Sequence, residues 1–143
     1  MKIALYYPWI YLKSGIERTI YQTVNNSIHD WDIYTSHYNA KDTFDEMNEH
    51  NIIQLKSVPV KRSFFNVIRA ILRISLTKIK LDHYDFLLIH SEGVGNFFTI
   101  RNNKIPIICY CHTPVRSVYD PTYINEYIKN NPYKKIPLYL FSI

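Results

Sequence analysis

The sequence predicts an α/β fold built on a doubly wound, largely parallel sheet of about five strands. Three observations predict it. Apolar runs rich in β-formers recur at Ile3–Tyr7, Trp31–Ser36, Ile52–Val58, Tyr84–Ile89 and Ile107–Cys111, and short apolar runs of this kind read as strands buried on both faces. Amphipathic helical patterns fall between several of them, and alternation of strand with helix gives parallel strands joined by right-handed crossovers. The chain has 143 residues, 47% of them apolar and 20% charged, which suits a single domain with its own core and excludes a disordered chain.

Taken in order, the first strand, Ile3–Tyr7, ends in the loop Pro8–Lys13. Ser14-Gly15-Ile16-Glu17 then fits a capping box, with Ser14 as N-cap and Glu17 three residues on. Ile16, Ile20, Val24 and Ile28 recur at fours, the spacing of one helix face. After the second strand and His37, residues 38–50 are polar, with a weak helical piece over Thr43–Glu49. The third strand closes at Pro59.

Phe64–Leu81 reads as the longest helix, with Phe64, Ile68, Ile71, Leu72 and Ile79 as its buried side. Arg62, Arg69, Arg73 and Lys80 form a narrow basic stripe on the opposite side. The fourth strand runs into His90-Ser91-Glu92-Gly93. A short helix over Gly95–Arg101 precedes the fifth strand, which ends in His112-Thr113-Pro114. Thr113 before a proline is pushed out of the helical region, so the chain turns there. Pro137 opens a last apolar stretch. A domain that closes its own sheet covers such a segment, so the chain is expected to be incomplete at its C-terminus.

The carboxyl edge of such a sheet is where α/β proteins place ligands. Here it gathers Tyr7, Pro8, Trp9, Ser14, Gly15, His37, His90, Ser91, Glu92, His112 and Thr113. The start of the first helix opens onto the same edge and offers free N–H groups to an anion.

Other chemistries fit less well. Cys109 and Cys111, two apart in one strand, point the same way and do not bridge. They read as core thiols of a reducing compartment, since no second ligand pair accompanies them. Three strand-end histidines on separate strands are too spread for zinc. A hydrolase would need Gly-x-Ser-x-Gly and a dinucleotide enzyme Gly-x-Gly-x-x-Gly, and neither occurs. Pro8 interrupts the apolar start, so it reads as a strand and not as a signal peptide, and no apolar run is long enough to span a bilayer. The net charge of +5 suggests anionic partners. Without a stacking platform, nucleic acid is not expected among them. The basic stripe reads either as a solvated face or as a contact with anionic lipid headgroups.

Cys111-His112-Thr113-Pro114-Val115-Arg116, followed by Tyr119-Asp120, resembles the Cys-His-Thr-Pro-x-Arg segment of family 4 glycosyltransferases, the "group 1" transferases. Ser14-Gly15-Ile16-Glu17-Arg18 resembles their Gly-Gly-x-Glu-Arg helix opening, with Ser14 in place of the first glycine. Tyr84-Asp85, heading a strand that ends in His-Ser, also fits. The resemblance covers nearly the whole chain. It implies the N-terminal, Rossmann-like half of a GT-B fold. Such enzymes transfer a sugar from a nucleotide-sugar, often of UDP or GDP, with retention of configuration and usually without a metal.

On this resemblance residues 1–143 are an acceptor-binding domain, and the nucleotide-binding domain is supplied in cis or in trans. The fragment alone is then inactive, and no cofactor is expected beyond the donor itself. His112 matches the histidine near the donor sugar, and Ser14 and Gly15 match the loop at the donor phosphate. His90, Ser91, Glu92, Thr113, Arg116 and Asp120 fall at acceptor-side positions. Arg62, Arg69, Arg73 and Lys80 would face a membrane carrying a lipid-linked acceptor. Polysaccharide or glycolipid synthesis on the cytoplasmic side of a membrane, with the protein peripheral to it, is the expected setting. The alternative is a non-catalytic module that binds a glycan or lipid phosphate, or one subunit of a split transferase.

Overall fold

The computed structural model describes residues 1–61, 63–113 and 120–130. Arg62, Arg116 and the segment opened by Pro137 lie outside them, as does the side chain of Phe64. The elements are β1 (Lys2–Tyr6), β2 (Trp9–Ile10), α1 (Gly15–Asn25), β3 (Asp30–Thr35), β4 (His37–Tyr38), β5 (Ile52–Gln54), α2 (Phe64–Leu76), β6 (Phe86–Ser91), β7 (Ile107–Cys111) and α3 (Pro121–Asn130). Two 3-10 helices, Asp45–Glu49 and Val94–Ile100, stand where short helical pieces are predicted.

The main sheet has five strands in the order β5-β3-β1-β6-β7, and every pairing is parallel. The predicted α/β class and Rossmann-like arrangement are therefore present. The chain winds outward from β1 to β5, returns to place β6 beside β1, and winds outward again to β7. The direction of winding reverses between β1 and β6, and a crevice opens at the carboxyl ends of those two strands.

β1 shows why the sheet is buried on both faces. Ile3 and Leu5 point to one side and pack with Ile16, Ile20 and Val24 of α1. Ala4 and Tyr6 point to the other and pack with Ala70 and Ile74 of α2 and with Phe98. This is the period of two in a strand meeting the period of 3.6 in each helix. The Tyr6 ring lies flat on Phe98, centroids 3.7 Å apart.

Several boundaries differ from the prediction. α1 ends at Asn25, and Ile28 is 96% exposed instead of continuing the buried face. The Asn26 side chain donates to the Gln22 carbonyl, and the Asp30 N–H is already committed to Met1 in the sheet. β5 stops at Gln54, not Val58. Past Thr35 no strand among the described residues continues the pairing, and Val58 turns into the core instead.

α2 stops at Leu76, not Leu81. The buried amide of Asn102 donates to the Thr77 carbonyl, and its carbonyl accepts from the Ile79 N–H, which holds residues 77–79 extended. The inward face of α2 is also a correction. Ala70 and Ile74 face the sheet, while Ile68 is 41% and Leu72 57% exposed, and Ile71 is only half-buried. The helix is apolar around most of its circumference, so periodicity alone does not choose a face. A small residue at 70 followed by Ile74 one turn later makes the side that fits closely against the sheet.

Among the described residues β7 is an edge strand, not one buried on both faces. Its residues from Ile108 to Cys111 are exposed, and Cys109 and Cys111 are free, exposed thiols instead of core residues. A two-stranded parallel ribbon of β2 and β4 lies in what reads locally as a loop, because its partners are 28 positions apart in sequence. α3 was not predicted, although Asp120-Pro121 is an N-cap followed by an N1 proline.

Candidate functional site

At the crevice between the ends of β1 and β6 lies a hollow of about 300 Å³. Tyr7 and Trp9 enter it from the end of β1, and Glu92 and Gly95 from the end of β6. The first turn of α1 contributes Ser14 and Glu17, and the approach to α2 contributes Lys61 and Asn66.

The predicted cap on α1 is formed, with a modification. Ser14 is extended (φ −103, ψ 175), and its hydroxyl oxygen accepts from the Ile16 N–H at 3.3 Å. The same hydroxyl donates to the carboxylate of Glu17, whose side chain is only 1% exposed. Glu17 thus does more than cap a helix: it is a buried acid in the wall of the hollow. A Cβ on Gly15 would meet nothing within 4 Å. The protein itself does not demand glycine there, and space beside the helix start is open.

The end of β6 is organised differently from the prediction. The strand runs through Ser91, so His90 and Ser91 are strand residues paired with Tyr110 and Cys111, not loop residues. Both side chains are fully buried. The Ser91 hydroxyl accepts from the Gly93 N–H at 2.9 Å. Neither side chain reaches the hollow, and a direct acceptor contact is corrected for both. Gly93 takes φ 110, which favours glycine. A Cβ on Gly95 would sit 3.1 Å from the His90 carbonyl oxygen, so the 3-10 helix folds back close against the strand end only without a side chain there.

His112 extends the β7 ladder by one bond, its N–H donating to the Ser91 carbonyl at 3.1 Å. Its Nε2 lies 2.8 Å from Nδ1 of His90. The Tyr110 ring stacks on His90, centroids 5.2 Å apart and planes within 8°. Burial, and next the neighbouring His112 ring, push His90 down to about 3 from the usual 6.5, so it is neutral. Burial also lowers His112, against the opposing charges of Glu92 and Glu17. These are the two carboxylates in the wall of the hollow, which puts His112 within electrostatic reach of it.

The remaining predicted residues are dispersed. Thr113 is exposed. Asp120 accepts from the Thr122 N–H at 3.0 Å and so caps α3. His37 pairs with Trp9 in the small ribbon and packs edge-on to Tyr11 instead of lining the hollow. Of the basic stripe, Arg69 is exposed, Arg73 donates to the Ser57 carbonyl, and Lys80 lies beyond the end of α2. Arg69, Arg73 and Lys80 therefore do not form one helical face, and Arg62 lies outside the described residues. Lys61 and Asn66 were not singled out, since nothing in a local window shows that they meet α1 across the crevice. Among the described residues no group of three or more His, Cys, Asp or Glu side chains is placed to hold a metal ion.

Comparison with models of protein families, with curated proteins and with solved structures finds no match. The reading of the site therefore rests on its own residues.

Proposed function

We propose that this chain is the acceptor-side domain of a retaining glycosyltransferase of GT-B architecture, acting in cell-surface polysaccharide or glycolipid synthesis. The observation that carries the reading is that His112, in the Cys-His-Thr-Pro-x-Arg segment, feels the charges of Glu17 and Glu92, which border a hollow at the switch point of a parallel sheet. A nucleotide-sugar would meet three features there. The open space beside Gly15 at the start of α1 admits phosphate oxygens, which free N–H groups and the helix dipole favour. Lys61 adds positive charge. His112 supplies a ring hydrogen bond to a sugar hydroxyl or to the departing phosphate. A second domain, in cis or in trans, would hold the nucleotide, and no cofactor beyond the donor is called for.

The test is transfer by the full-length protein from a panel of UDP- and GDP-sugars. His112→Ala is expected to lower turnover roughly 10²–10³-fold, the usual loss for one polar group acting on developing charge. Stability should fall by about 1–3 kcal/mol, the cost of leaving the buried His90 nitrogen unpaired. Undiminished transfer in a folded variant would overturn the role of His112. Absence of transfer from every donor, with retained binding of phosphorylated glycans, would favour the non-catalytic module.

The anionic membrane partner has its best support in α2. Phe65 (81% exposed), Ile68, Leu72 and Leu76 form an exposed apolar ridge along it. Between Asn51 and Leu81 stand seven Lys or Arg residues and no Asp or Glu. Apolar insertion flanked by cations suits an anionic bilayer surface and a lipid-linked acceptor. Among the described residues no helix is long and apolar enough to cross a membrane. Sedimentation with phosphatidylglycerol-containing vesicles should be weakened about tenfold by Leu72→Glu, and also by Arg69→Glu. Binding that ignores both substitutions would refute the surface.

A further inference from the structure

His90 and His112 present Nδ1 and Nε2 to each other at 2.8 Å. Two neutral imidazoles at that distance share one hydrogen, carried by one nitrogen and accepted by the other. Geometry decides which. His90 is fully buried, and its other nitrogen, Nε2, is buried with no partner among the described residues. The stacked Tyr110 ring restricts rotation of His90 out of this position.

If His90 carried its hydrogen on Nε2, a donor N–H would be sealed away with no acceptor. If it carries it on Nδ1, only a lone pair is left unanswered. Buried orphan N–H groups are the rarer and costlier of the two. We infer that His90 is a positioning residue: it donates its Nδ1 hydrogen to Nε2 of His112 and so holds His112 in the tautomer that bears its hydrogen on Nδ1.

Two consequences follow. His112 meets its ligand as a hydrogen-bond donor, so the complementary group is an acceptor oxygen, of a phosphate or a hydroxyl, and not a proton to be abstracted. Charging His112 would put a second hydrogen on its Nε2. The His90 hydrogen would then have to move to the buried Nε2, so the pair resists that charge, against the pull of Glu17 and Glu92. The ligand consequence rests on the proposed function, whereas the tautomer does not.

The experiment is a long-range proton–nitrogen spectrum of the histidine rings in the ¹⁵N-labelled full chain near pH 7. The expected result is an N–H signature at Nδ1 of both His90 and His112, with Nε2 of His112 unprotonated. His90→Asn, which keeps a donor N–H near the position of Nδ1, should preserve the His112 pattern. His90→Phe should shift His112 toward the Nε2–H form that free imidazole side chains prefer. In the transfer assay His90→Phe should lose roughly tenfold, one hydrogen bond's worth, and His90→Asn should recover it. A hydrogen on Nε2 of His112 in the wild type overturns the inference, even if His90→Phe does not fold. An unchanged His112 spectrum in a folded His90→Phe protein also overturns it. The expected spectra without any transfer activity would leave the His90 assignment standing and refute the glycosyltransferase reading alone.

Discussion

The two edges of the sheet carry polar side chains in comparable depth and treat them in opposite ways. At the amino edge Asp32 is the centre of a closed network. Its Oδ2 accepts from the Tyr84 hydroxyl at 2.6 Å and pairs with Lys2 at 3.3 Å, and its Oδ1 accepts from Asn51 at 2.6 Å. Tyr34 joins through the Tyr84 hydroxyl at 2.8 Å. Burial would raise the Asp32 carboxyl, but the hydrogen bonds from Tyr84, Asn51 and Lys2 outweigh it and hold it below its usual value.

At the carboxyl edge polar groups pair two by two, His90 with His112 and Ser14 with Glu17, beside a hollow. His90 Nε2 has no partner among the described residues, His112 is half-buried, and Glu17 and Glu92 border the hollow. A network that the chain completes by itself stabilises the fold. Polar groups set in the wall of a crevice stand where a ligand can reach them. The amino edge pins β1, β3 and the entry to β6 together. The carboxyl edge presents what those pinned strands position.

This contrast can be broken most directly at Asp32. Asp32→Ala takes the acceptor from the Tyr84 hydroxyl and the Asn51 amide, and should cost about 2–3 kcal/mol in urea denaturation. Transfer per folded molecule should be untouched. A loss of stability below about 1 kcal/mol would mean that the amino edge is not the structural one.

A smaller effect sharpens the comparison by pH. His90 has a folded value of about 3 against 6.5. As the pH falls through 6.5 the unfolded chain takes a proton that the native state refuses, and stability drops until about pH 3. Asp32 is depressed from 3.8, so its contribution is present above that value and is lost only as the pH falls below it. Stability measured from pH 7 to 3 should therefore decline in two stages. His90→Asn should flatten the stage above pH 4, and Asp32→Asn the stage below it. If His90→Asn leaves the upper stage unchanged, the buried neutral histidine does not distinguish the edges.

Much of the fold is legible residue by residue. Ile3 to Tyr6 announce a doubly buried strand, Ser14 and Glu17 announce the start of α1, and His112 marks a strand end. The errors are as instructive. The apolar pattern past Leu76 continues the helix, yet Asn102, 25 residues from the Thr77 carbonyl to which it donates, ends it. Ile68 and Leu72 look as buried as Ala70 until the sheet selects a side. His90 reads as a loop ligand beside Glu92, but pairing with β7 carries the strand through Ser91 and turns both side chains inward.

By itself the sequence determined the class of the fold, the alternation of its elements, the cap that opens α1 and the presence of histidines at the ends of β6 and β7. Only the tertiary structure decided that His90 is buried behind His112, 22 residues away, that Glu17 walls a crevice, and that α2 turns Ala70 inward. The physical reason is range. Caps, turns and periodicities act within one or two turns of chain, so a local window contains them. Burial and hydrogen-bond partnership are settled between segments that meet only when the sheet assembles, and at the crevice between β1 and β6 those meetings make the candidate site.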